Sequence, residues 1–113
     1  MPLPNSIRRC ITLLRIAFRD ELPMPVKLRI VEGLEKNEGA WGTCSKGRKF
    51  FTLRLDKGLV DFDATVANIV LLHEFAHALA WEMDAEPYDH GSAWGVVHAR
   101  VWRTWMLEGV DDT

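Results

Sequence analysis

The run His73-Glu74-Phe75-Ala76-His77, with His90-Gly91 following thirteen residues after His77, is where residue types and spacing carry chemistry in this chain. Residues four apart share one face of a helix, so His73 and His77 can hold one metal ion while Glu74, one position on, reaches its bound water. That is the ligand logic of a zinc-dependent hydrolase, with Glu74 as the candidate general base. Two histidines with a glutamate at a fixed offset arise by chance in roughly a few per thousand chains this short. The bland alternative is a helix that carries two histidines on its surface, or hydrogen-bonded in its core.

Catalytic zinc usually takes three protein ligands and leaves its fourth position for water. His73, His77 and His90 supply three. The last of the four histidines, His98, lies eight residues beyond His90 and reads as a rival third ligand, a transition-state hydrogen-bond donor or a partly buried helical residue. Tyr88 is a second candidate to assist the transition state. Glu82, Asp84, Glu86 and Asp89 are placed to orient a ligand histidine, although each taken singly reads as solvated surface.

The motif needs a helix, and the preceding residues provide one. Asp63 or Thr65 can cap it, and Val66, Ile69, Val70, His73 and His77 recur at helical spacing, which puts the histidines on or beside the inward stripe. Ala78 to Trp81 continue the helix, and the stretch Asp84 to Asp89, with Pro87, breaks it and lets the chain turn back toward the metal. A last helix is expected over about Ser92 to Glu108, with Trp94, Val97, Val101, Trp102 and Trp105 on one broad face and Gly109 as terminator.

Upstream, Pro4-Asn5-Ser6 opens a helix in which Ile7, Ile11, Leu14 and Phe18 fall on one face, ended by Glu21 to Pro25. Val26, Leu28 and Ile30 alternate with Lys27, Arg29 and Val31 as a half-buried strand would, and Gly33 to Gly42 reads as a connection that Trp41 can anchor. Two strands, about Gly42 to Ser45 and Arg48 to Leu55, form a hairpin through Ser45-Lys46-Gly47. The expected architecture is one α+β domain over residues 1–113, with helices packed on a three-stranded, mainly antiparallel sheet. An exposed edge of that sheet could pair with an extended peptide.

At 113 residues with 48% hydrophobic and 27% charged content, the chain has the make-up of a folded domain rather than a disordered one. A net charge of −2 gives no support to a nucleic-acid partner, and DNA stays open only through Arg8, Arg15, Arg19, Arg100 and Arg103, whose plainer meaning is solvated helix faces. Cys10 and Cys44 are too few for a disulfide framework, no CxxC occurs, and both read as reduced thiols. No apolar run suits a secretory signal or a membrane span. The expectation is a monomer in the cytoplasm, or in a host's cytoplasm if the chain is phage-encoded, acting on a protein or peptide.

From about Val26 to Trp105 the chain resembles the SprT-like, or Spartan-like, metalloprotease domain. The resemblance rests on the hairpin ending in Phe50-Phe51-Thr52-Leu53-Arg54-Leu55, on His73-Glu74-Phe75-Ala76-His77-Ala78, and on His90-Gly91 followed closely by Trp94. It implies a compact zincin fold, zinc held by His73, His77 and His90, and Glu74 as general base in peptide hydrolysis. No C-terminal zinc ribbon and no DNA-binding or recruitment tail is recognisable, so the family's role in clearing DNA-crosslinked proteins is not carried over. Two other readings remain: a non-catalytic zinc module that binds protein or nucleic acid, and a regulatory protease of the ImmA/IrrE kind with an acidic third ligand.

Overall fold

The structure, a computed structural model, describes residues 3–83 and 91–109. Helix α1 (Asn5–Ala17) is followed by strand β1 (Val26–Val31), short helix α2 (Leu34–Glu38), strands β2 (Gly42–Lys46) and β3 (Phe51–Asp56), helices α3 (Lys57–Phe62), α4 (Ala64–Leu79) and α5 (Ser92–Thr104), and a π-helical turn at Trp105–Gly109. The α+β class and the order of the main elements are those expected from the sequence.

The sheet is mixed. β3 lies in the centre, antiparallel to β2 as the hairpin requires and parallel to β1, with Val26 opposite Phe51 and Val31 opposite Asp56. Antiparallel character is therefore confined to the hairpin. The chain leaves β1 through α2 and returns along β2, so β1 and β3 end up running the same way. Phe51, Leu53 and Leu55 from the central strand are fully buried against α1 and α4, whose Ile7, Ile11, Leu14, Leu71, Leu72 and Phe75 complete the core. Phe18 packs on Phe75 with ring centroids 6.0 Å apart.

The stretch Gly33 to Gly42, expected as a plain connection, contains α2, and Lys57 begins a second short helix. Neither has the length to be stable alone. Both are fixed by β3: the Asp56 carboxylate accepts from the Leu59 N–H and the Glu35 N–H, each at 3.0 Å, and Arg54 grips Glu38 through two bonds of 2.9 and 2.8 Å. Glycines in the left-handed conformation, Gly33 and Gly39, stand at the two ends of α2.

Asp63, rather than Thr65, caps α4, its Oδ1 accepting from the N–H groups of Thr65 and Val66. The inward face of α4 is also not the expected one. Ala67, Leu71, Phe75 and Ala78 turn into the core, whereas Val66 and Ile69 are 40% and 44% exposed. Apolar residues occupy so much of this helix that periodicity alone does not choose a direction; packing against α1 and β3 does. The Val66–Ile69–Val70 stripe instead leads along the open side toward His73.

Strand β2 forms one edge of the sheet and approaches α4 closely. A Cβ added at Gly42 would lie 2.5 Å from Val70 Cγ1 and 3.2 Å from Glu74 Cγ. The Asp56 N–H bonds to the Trp41 carbonyl at 2.9 Å, which sets the phase of the ladder. Trp41, Thr43 and Ser45 turn their backbone polar groups to β3, and Gly42, Cys44 and Lys46 turn theirs to the open edge.

Two outcomes follow from this packing. Gly42→Ala should lower stability by about 1–3 kcal/mol through overpacking against a stiff valine, and Val70→Ala on the same chain should restore part of it; equal chemical-denaturation midpoints for Gly42→Ala and wild type would contradict the close approach. Burial pushes the thiols of Cys10 and Cys44 up to about 12, so both should resist a thiol-specific chromogenic reagent at pH 8 in the folded protein and react at once in denaturant.

Candidate metal centre

Helix α4 carries His73, Glu74 and His77 on the side that looks toward the open edge of β2 and the start of α5. The spacing of four brings the two imidazoles together as expected: His73 Nε2 and His77 Nε2 are 3.2 Å apart, and the rings meet edge-on with centroids at 4.9 Å. With Zn–N bonds of about 2.0–2.1 Å, two corners of a tetrahedron stand about 3.3–3.4 Å apart, so the pair fits two ligands of one zinc ion. A neutral imidazole N–H donating to its neighbour suits the same distance.

Glu74 lies beneath β2, 8% exposed, and burial pushes its carboxyl up to about 7. A general base works best with a pKa near the operating pH, although the charge of a bound dication works in the opposite direction to burial. Its negative charge also adds to the rise at the Cys44 thiol, which places β2 and the carboxylate side by side.

The first turn of α5 closes the other side. The Trp94 ring centroid is 4.9 Å from that of His73 and 5.3 Å from that of His77, so one indole walls both candidate ligands. His98, one turn on, stacks on Trp94 at 4.5 Å with an interplanar angle of 11°, and its ring lies 5.9 Å from that of His73. Among the described residues, no three His, Cys, Asp or Glu side chains come close enough to hold a metal. Glu82 is exposed in the turn after α4. His90 lies outside the described residues, as do Asp84, Glu86, Tyr88 and Asp89; Gly91, next in sequence to His90, is the N-cap of α5.

Two contributors escaped the sequence reading. Trp94 was legible as an aromatic close after His90-Gly91 and as part of an apolar face, not as a wall for two imidazoles. Gly42 carried a signal, since a glycine at a strand start marks a site where another element approaches closely.

The sequence pattern of the SprT-like family matches residues 11–110. That span extends the resemblance drawn from Val26 to Trp105, adding the later part of α1 and the segment that joins it to β1. Domains of this family are generally metallopeptidase-like and zinc-associated. No curated protein matches the chain. A match over nearly the full length settles the affiliation: the chain belongs to the SprT-like family.

Proposed function

We propose that this protein is a zinc-dependent metallopeptidase in which His73, His77 and His90 hold the metal and Glu74 is the general base. The observation that carries the reading is the facing pair of Nε2 atoms, 3.2 Å apart, on the helix that also buries Glu74. His90 is favoured as third ligand by its place in the sequence, directly before the helix whose first turn presents Trp94 to both rings.

Zinc in such a site supplies Lewis acidity, polarising a carbonyl and bringing the pKa of coordinated water to about 7. The protein's own groups do the rest. Glu74, held in a dry position by β2 and the core, takes the proton of the attacking water and delivers it to the leaving amine nitrogen. Trp94 restricts the rotation of both imidazoles, so their lone pairs stay convergent. The outward N–H and C=O groups of Gly42 and Cys44 offer an extended peptide a backbone ladder beside Glu74, which favours a protein or peptide as substrate.

Zinc content and turnover of variants test this. Glu74→Gln should retain one zinc per chain while cleaving casein at least about 100-fold more slowly than wild type, and His77→Ala and His90→Ala should each lose the metal. Undiminished proteolysis by Glu74→Gln would sink the mechanism. Zinc retained by His90→Ala but lost on replacing Glu82 or Asp84 would shift the assignment to an acidic third ligand.

A further inference from the structure

The metal chemistry makes no use of the cavities that the described residues form elsewhere on the fold. A cleft of about 550 Å³ opens between α2 and α3 at the start of β2, and among its lining residues are Glu32, Glu35, Trp41, Asp61 and Phe62. Trp41 is 50% exposed and Phe62 87%. Single exposed apolar side chains are ordinary on a protein surface, but here two exposed aromatics line one cavity, and grouped apolar exposure marks binding sites.

The walls of this cleft are tied together. Buried Asp56 accepts from Glu35 N–H on α2 and Leu59 N–H on α3, and donates its own N–H to the Trp41 carbonyl. The cleft is thereby preformed, which lowers the ordering cost of binding. Its rim is acidic. Glu32, Glu35 and Asp61, with buried Asp56 behind them, outnumber Lys36 and Lys57, and Lys57 is engaged by Asp61 at 2.6 Å and also feels the charge of Glu32.

The location connects the cleft to the candidate centre. Trp41 immediately precedes Gly42, the residue at which an added Cβ would meet Glu74 Cγ at 3.2 Å. An extended peptide laid along the open edge of β2 advances about 3.3 Å per residue, so one that passes Glu74 runs on toward Trp41 and the cleft at the start of β2.

We infer that this cleft is a subsite for an arginine side chain of an extended peptide. The assignment of that peptide as a substrate rests on the metallopeptidase reading; the binding of arginine at the cleft does not. A guanidinium is planar and weakly hydrated, stacks on an indole face and pairs with carboxylates at the same time. Trp41 and Phe62 supply the faces, and Glu32 and Glu35 the carboxylates. A neutral side chain of the same shape engages only the rings.

The test uses the blocked tripeptide acetyl-Ala-Arg-Ala-amide and its citrulline counterpart, which keeps the shape and removes the charge. Each is titrated into the Glu74→Gln protein while the Trp41 indole N–H resonance, assigned with Trp41→Phe, is followed. The arginine peptide should shift that resonance and bind about tenfold more tightly than the citrulline peptide, with the difference shrinking in the Glu32→Gln/Glu35→Gln protein and at high salt. In parallel, matched fluorogenic peptides given to the zinc-loaded wild type should show about the same tenfold preference in kcat/KM at one position, and Trp41→Ala should bring that ratio to about one. Equal binding of the two tripeptides, or a Trp41 resonance that responds to neither, overturns the subsite whatever cleavage shows. Arginine-selective binding at Trp41 by a protein that cleaves no peptide supports the subsite and overturns the metallopeptidase reading instead.

Discussion

The burial of α4 is the constraint on which the rest of the structure depends. From Leu71 to Ala80 every residue except His73 is buried, so the helix that carries the candidate chemistry is also the centre of the core. Leu71, Leu72, Phe75 and Leu79 are each worth about 1.5–3 kcal/mol in apolar surface removed from water. That sum holds the helix in place without any help from the site. It is opposed by the cost of taking His77 and Glu74 out of water, since a buried imidazole or carboxylate stabilises a fold only when something pairs with it. The 3.2 Å contact between the two imidazoles supplies one such partner.

Strand order converts this buried helix into an accessible site. β1 pairs with the side of β3 away from β2, which leaves β2 as an edge, and Gly42 lets that edge lie against Val70 and Glu74 where any side chain would hold it off. The open backbone groups of β2 and the carboxylate therefore share one boundary. The short helices α2 and α3 belong to the same construction. Through Asp56 they fix where Trp41, and with it the start of β2, stands relative to β3.

The parts legible in the sequence are those written in local spacing. The histidine pair, the α4 cap and the hairpin each depend on residues within a few positions of one another. The pair stands as expected, Asp63 is the one of two candidates that caps, and the hairpin forms with its turn shifted to residues 47–50, so that the second strand starts at Phe51 rather than Arg48. What was not legible depends on distant partners. The N–H that ties α2 down finds its acceptor at Asp56, 21 residues away, and no periodicity announces a five-residue helix held that way. The parallel pairing of β1 with β3 is likewise set by which side of the hairpin was free. The exposure of Val66 and Ile69 shows a further limit: on a helix apolar nearly all round, the inward direction belongs to the neighbours rather than to the pattern.

The site's geometry is shared between two helices in unequal ways. α4 sets the spacing of the two Cα positions through its backbone, while the side-chain rotamers set where the imidazoles stand. Their orientation depends on Trp94, and Trp94 goes where α5 is docked. Val97 and Val101, 2% and 0% exposed, do most of that docking; the Arg100–Glu21 ion pair at 2.8 Å joins α5 to the end of the N-terminal segment but is largely solvated, and such pairs contribute about 0–1 kcal/mol. Ring orientation thus rests on apolar contacts made a turn or two beyond Trp94. Because a metal binds best where its donors are already convergent, the fitness of this candidate centre for a metal is as much a property of how α5 packs as of the four-residue spacing that first identified it.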